Sequence, residues 1–274
     1  NLIGVMFFAL LFGIGAATVK TDGVRTFIGT LQGVYDITLK LINAVIKLAP
    51  YAVAALLFNL LAIKGFAGLL PLAKFVAVTV GALATHFFVV FPLLLWFVGR
   101  MNPIDFFRRA QPAILTAFST SSSSATLPTT LRVAEQNLGT PKRIGRFVCT
   151  LGATANMNGT ALFEGVVVLF LAQFFGVELS LGQQVLVLLM CILGGIGAAG
   201  VPGGSLPVIA SILVMFGIPP EGIALILGVD RFIDMCRTTV NVTGDLVGTV
   251  IVSRGEPPDA VEGHGPDPAA AARA

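Results

Sequence analysis

Charge is what this sequence has least of. Lys, Arg, Asp and Glu make up 11% of its 274 residues, where a soluble globular domain carries about a quarter. The uncharged stretches are long. Residues 1–19 hold no charge, 25 uncharged residues separate Lys74 from Arg100, and 42 separate Glu178 from Glu221. A transmembrane helix needs about 20 predominantly apolar residues, so several spans fit. The alternative, a soluble protein with a very apolar core, is disfavoured because 42 uncharged residues are hard to cover with a polar shell.

Other scarcities exclude other classes. The three cysteines, Cys149, Cys191 and Cys236, sit in apolar stretches at a spacing that fits neither a metal site nor a disulfide framework. The two histidines, His86 and His264, form no cluster, and His86 is expected to be a packed side chain. A net charge of +3 gives no reason to expect nucleic acid as a partner. Intramembrane hydrolysis would need a nucleophile–base pair; no His or paired Asp is suitably placed, so no enzyme is expected. There is neither an initiator Met nor a signal-peptide pattern. Asn1 runs straight into an apolar stretch, and the chain is expected to begin within a longer protein.

What is present divides as follows. Residues 1–19 read as a span, followed by a polar stretch with Lys20, Asp22 and Arg25. Residues 34–63 read as a long helix kinked at Pro50, and 74–99 as the next span. Residues 103–139 are two helix-like arms around a Ser run; 143–175 are helical but interrupted at Asn156–Thr160. Residues 181–218 are apolar but broken between Gly194 and Ser205, 222–252 form the last span, and 255–274 have the composition of a disordered tail. Lys and Arg in short loops mark the cytoplasmic side. Arg100, Arg108 and Arg109 precede the Ser run and Arg132, Lys142, Arg143 and Arg146 follow it, so 103–139 enters and leaves on one side, as a re-entrant hairpin does. The loops at 175–183 and 216–222 hold no Lys or Arg, which makes 181–218 a second hairpin, entered from the outside. Secondary transporters are commonly built from such inverted elements, with sites where helices are discontinuous near the midplane. The alternative is two helices with glycine kinks.

Four segments carry chemistry. In the last span Asp230, Asp234, Arg237, Thr238, Asn241 and Asp245 fall on one helical stripe. Charges in a bilayer usually mark substrate or ion paths: Arg offers a fork for a carboxylate, and Asp can take an ammonium or a sodium ion. An Asp–Arg bridge that merely locks helices together would look the same. The Ser121–Ser124 run offers hydroxyls and free N–H groups to an anion where helix N-termini converge, although Ser runs are more often linkers. The stretch Asn156–Thr160 contains Gly159, which weakens the helix and leaves oxygens of the kind a hard cation needs. The tip from Gly200 to Ser205 is flexible backbone able to close over a ligand.

The Ser run with Thr126-Leu127-Pro128, the Asn156–Thr160 stretch, the Gly200-Val201-Pro202-Gly203 tip and the Asp234–Asp245 segment resemble, in order, four motifs of the dicarboxylate/amino acid:cation symporters, the glutamate transporter family. The resemblance covers residues 1 to about 254. It implies an all-α membrane protein with two re-entrant hairpins and discontinuous helices, working as a homotrimer in membrane lipid. Residues 1–69 would be part of the scaffold, 70–254 the transport domain that moves as an elevator, and the family's first three helices would be missing. Arg237 would bind the side-chain carboxylate of an acidic amino acid and Asp234 its amino group. Ser122, Ser123, Thr160, Thr238 and Asn241 would complete the contacts, with Val201 on the gate. Asp245, Asn241, Asn156 and Gly152 would form one sodium site. Thr154, Met157 and the carbonyls of Gly195, Ile196 and Ala198 would form another.

The implied activity is cation-coupled symport of glutamate or aspartate, in a bacterial inner membrane, driven by sodium with protons as the alternative. C4-dicarboxylate or neutral amino acid symport, an anion channel and a non-transporting fragment are the competing outcomes. Dicarboxylate carriers lack the Asp at position 234, and neutral carriers lack the Arg at position 237; both are present here. Three departures bear on coupling. Asn158 replaces an Asp that serves a further sodium site, so that site is expected to be weak or absent. Neither Ser121 nor Met235 is the Arg that many members place beside the substrate. Glu164 occupies the position of a glutamate proposed to carry a proton and is the proton-carrier candidate; a buried, hydrogen-bonded carboxyl is the evenly weighted alternative.

Overall fold

The computed structural model describes residues 2–48, 69–197 and 200–256, with seven further positions between 51 and 65. Among them there are helices and no strands. Helix α1 is Leu2–Thr18 and α2 is Asp22–Ile46. The second begins well before residue 34. Thr21 explains the difference: its hydroxyl accepts from the amide of Val24 at 3.4 Å, and Asp22 adds negative charge to the first turn, both N-terminal signals. The polar stretch is thus the cap and first turn of a helix. The kink at Pro50 and most of the tail at 255–274 lie outside the described residues.

Helix α3 is Leu69–Thr85 and continues without a break through π turns at His86–Val90 and Leu95–Gly99. Pro92 is the cause of the widening. It has no amide to donate and its ring would collide with a carbonyl four residues back; the widened ladder lets the Phe91 amide reach the His86 carbonyl instead. Arg100 ends the helix in the left-handed region, at φ 51°.

The chain then makes two hairpins around broken and unbroken helices. Helix α4, Pro103–Thr120, starts at an Asn102 cap that accepts from the Ile104 amide at 2.9 Å. Helix α5, Ser123–Arg132, starts at Ser122, whose hydroxyl accepts from the Ala125 amide at 3.1 Å. Only Ser121 and Ser122 separate the two, so α5 folds back along α4. At the open end, Arg109 and Asn137 exchange side-chain-to-carbonyl hydrogen bonds at 3.3 and 3.1 Å. Helix α6, Lys142–Ala155, and α7, Asn158–Phe174, are two halves of one path interrupted at Asn156 and Met157. Helices α8, Leu181–Gly197, and α9, Leu206–Met215, form the second hairpin, and α10 runs from Ile223 to Val252.

Helix α10 is the axis: α3, α4, α6 and α7 all pack on it. Glycines set how closely. A Cβ on Gly159 of α7 would stand 2.5 Å from the Arg237 carbonyl of α10, a backbone atom that cannot swing aside. The outer faces carry bare apolar side chains, including Phe88, Trp96 and Phe97 of α3 and Leu186, Leu189 and Leu193 of α8. Exposed apolar faces of this extent mark a membrane or a partner. The helix over 70–99 and the interrupted helical path over 142–174 are long and apolar enough to cross a bilayer.

Gly159→Ala should push α7 and α10 apart and lower the thermal midpoint of the purified protein by several degrees. Gly165→Ala, where a Cβ would meet nothing within 4 Å, should leave it unchanged. Equal midpoints for the two variants would show that the close approach carries no energy.

Candidate substrate and cation site

Three chain breaks meet on one stretch of α10. They are the first hairpin tip at 121–122, the α6–α7 interruption at 156–157 and the second hairpin tip at 200–205. Between them lies a small cavity lined by Ser121, Ser123, Met157, Thr160, Gly200, Val201, Ser205, Asp234, Arg237, Thr238 and Asn241. It leaves room for about one water, by the criterion that a water needs roughly 10–15 Å³.

Arg237 is the centre of the site and only 2% exposed. Its Nε donates to Oδ1 of Asp234 at 2.8 Å, and Nη1 donates to the Ser205 hydroxyl at 2.6 Å. Asp230, one turn before Asp234, comes within 4.0 Å of Nη1. The Phe163 ring lies 4.6 Å from the guanidinium carbon, a cation–π contact. One charge thus faces two buried carboxylates and an aromatic face.

The hairpin tips are tied to each other. The Ser122 hydroxyl donates to the Gly200 carbonyl at 2.7 Å, and the Ser124 amide donates to the same oxygen at 3.2 Å. The Ser121 hydroxyl is buried and has no partner among the described residues, and its backbone takes a left-handed φ of 51°.

Asn241 repairs the broken path. Its Oδ1 accepts from the amides of Gly159 and Thr160 at 2.7 and 3.3 Å, two of the orphan donors at the start of α7. Its Nδ2 donates to the Thr160 hydroxyl at 3.0 Å and to the Met157 sulfur at 3.2 Å.

One turn further along α10, Asp245 accepts from Nδ2 of Asn156 at 2.8 Å. Gly152 makes room for it: a Cβ there would run into the Asp245 carboxylate. A buried carboxylate in a cradle that a Cβ would fill suits a small hard cation. The second expected cation set is described only in part. Gly195 approaches the Met157 carbonyl, the Thr154 hydroxyl donates to the Leu151 carbonyl, and Ala198 lies outside the described residues.

A sequence model of the Sodium:dicarboxylate symporter family matches residues 1–255. The chain belongs to this family. Symporters of the family are membrane transporters, and the protein is a multi-pass membrane protein. It is 38% identical over 255 residues to excitatory amino acid transporter 3 of Mus musculus, covering 93% of this chain and 49% of that protein. It is 36% identical over 256 residues to excitatory amino acid transporter 1 of Homo sapiens, covering 92% of this chain and 47% of that one. The chain therefore spans about half the length of these curated relatives.

Of the symporter-motif residues singled out in the sequence, Ser123, Met157, Thr160, Val201, Asp234, Arg237, Thr238 and Asn241 line one cavity, and Ser122 stands at its edge on the Gly200 carbonyl. Asp245, Asn156 and Gly152 gather one turn away. Glu164 is fully buried, as expected, but its two oxygens have no hydrogen-bond partner among the described residues. It faces Gly194, whose bare Cα offers no side-chain donor. His86 packs edge-on to Phe91 and lies 3.2 Å from Nδ2 of Asn158. The roles of Ser205 and Phe163 had no sequence signal beyond their places in the glycine-rich tip and on α7.

Asn241→Leu removes four hydrogen bonds and strands the Thr160 amide, while the Gly159 amide keeps Oδ1 of Asn158 at 3.0 Å. It should cost on the order of 1–3 kcal/mol for the stranded group, read as a fall of several degrees in the thermal midpoint. An unchanged midpoint would mean that water takes over that donor.

Proposed function

We propose that this chain carries the binding core of a cation-coupled symporter for acidic amino acids. The observation that carries the proposal is the buried Arg237–Asp234 pair facing both hairpin tips. An acidic amino acid presents two carboxylates and one ammonium. Arg237 receives the side-chain carboxylate on its planar fork, where two parallel N–H···O bonds give both strength and geometry. Asp234 takes the ammonium. The main carboxylate falls to the hydroxyls and N–H groups at Ser122 and Ser123, with Thr160, Thr238 and Asn241 closing the remaining contacts and Val201 on the covering tip.

Sodium is the coupling ion, held by Asp245 with Asn156, Asn241 and the Gly152 carbonyl, and at a second position by Thr154, Met157, Gly195, Ile196 and Ala198. The Gly152 cradle around Asp245 supports the first of these sites. Cation and substrate sites share Asn241 and Met157, so filling one pre-forms the other, which is how symport avoids carrying either alone. The second hairpin then closes, and residues 70–254 cross as one transport domain against a scaffold that includes 1–69, as an elevator within a homotrimer in membrane lipid. A bacterial inner membrane is the proposed location. Glu164 is the proposed proton carrier, supported by a carboxyl that is buried without a hydrogen-bond partner among the described residues.

In proteoliposomes with an inward sodium gradient, uptake of labelled L-aspartate or L-glutamate is expected, with at least a tenfold loss in Arg237→Ala. Gradient-independent or Arg237-independent uptake would refute the proposal. Asp245→Asn should raise the sodium concentration for half-maximal uptake, whereas Glu164→Gln should leave that concentration unchanged. Glu164→Gln should flatten the pH dependence of uptake; a wild-type pH profile would remove the proton role.

A further inference from the structure

The tip of the second hairpin does more than cover the cavity; it reaches α10 through two hydrogen bonds. Ser205, 2% exposed, accepts from Nη1 of Arg237 at 2.6 Å. Two residues earlier, the Gly203 amide donates to Oδ2 of Asp234 at 3.3 Å, from a backbone at φ +72° that only glycine adopts without strain. The other oxygen of Asp234 accepts from Nε of Arg237. Gate hydroxyl, guanidinium, carboxylate and gate amide therefore form a closed ring.

That ring constrains the fork in a particular way. Guanidinium donors are coplanar, so fixing Nε on Asp234 and Nη1 on Ser205 fixes the plane of the whole group. Phe163 sets the distance from its face. With Ser205 removed, Nε alone would define the fork, and the guanidinium could rotate about that one bond. A misaligned fork loses one of the two parallel bonds that a carboxylate accepts, whereas a ligand without a side-chain carboxylate loses little. The same hydroxyl is a side-chain link from the gate to α10.

We infer that Ser205 is a positioning residue for substrate recognition: it holds the Arg237 fork in the plane that receives a side-chain carboxylate and ties closure of the second hairpin to that fork. The inference rests on Arg237 being the carboxylate-binding group, and the test separates the two.

Ser205→Ala and Ser205→Thr would each be compared with the wild-type chain in two measurements. The first is the maleimide modification rate of a cysteine introduced by Pro202→Cys on the tip. The second is competition binding of L-aspartate and its amide isostere L-asparagine at saturating sodium. Ser205→Ala should label several-fold faster and bind L-aspartate about tenfold more weakly, the loss of one hydrogen bond to a charged group. L-asparagine binding should fall by much less, so that the aspartate-to-asparagine affinity ratio drops several-fold, and Ser205→Thr should restore both readouts. A Ser205 that merely stabilised the fold would weaken both ligands alike. Unchanged labelling, or an unchanged aspartate-to-asparagine ratio, overturns the inference. If the wild-type chain binds no acidic amino acid, the substrate proposal is what fails, and the labelling rates alone decide the tie.

Discussion

A guanidinium buried in the middle of a helical bundle is the constraint around which this molecule is arranged. Stripping Arg237 of water is expensive, and leaving such a charge without a partner costs about 3–5 kcal/mol. Asp234 neutralises it at 2.8 Å, Asp230 adds a second negative charge at 4.0 Å, and Phe163 offers its ring face. These partners come from α10 and α7, which explains why α7 must approach α10 so closely at Gly159. An arrangement that existed only for stability would be better served by apolar side chains of similar volume. The pair makes physical sense as a recognition element kept dry until a ligand of matching charge replaces part of its environment.

The chain breaks follow from the same requirement. An unbroken helix has already used its backbone N–H and C=O groups, so it can offer a ligand only side chains. Interrupting α6–α7 and opening both hairpins at their tips frees backbone groups at the depth of Arg237. Freed groups must be satisfied when the site is shut, and three of them visibly are. Asn241 accepts from the Gly159 and Thr160 amides, and Ser122 and the Ser124 amide cap the Gly200 carbonyl. The side chains that perform this repair are those the family resemblance assigns to the ligand. Under the proposed function, binding exchanges one set of hydrogen bonds for another.

Much of this was legible in the sequence because the bilayer simplifies the code. A six-residue polar stripe in an apolar span can point only inward, and all six of its members are buried. The hairpins were visible in the distribution of Lys and Arg, and the breaks in glycine and serine. What escaped was of two kinds. The start of α2 at Asp22 depends on a single cap, Thr21, inside a stretch whose polarity suggested a loop. The Ser205–Arg237 contact joins residues 32 positions apart, and no local pattern predicts which hydroxyl of a glycine-rich tip will meet a guanidinium. Glu164 shows the opposite limit: its burial was foreseeable, but not that it would face Gly194 of α8 and have no hydrogen-bond partner among the described residues.

The most direct test of the central claim is a cryo-electron microscopy structure of the protein in lipid nanodiscs with L-aspartate and sodium. The account predicts ligand density between the two hairpin tips, with one carboxylate on the Arg237 fork, the ammonium toward Asp234, and a cation beside Asp245 and Gly152. Arg237 engaged only by Asp234 and Ser205, with no density between the tips at saturating ligand, would contradict it and leave the buried pair a structural bridge.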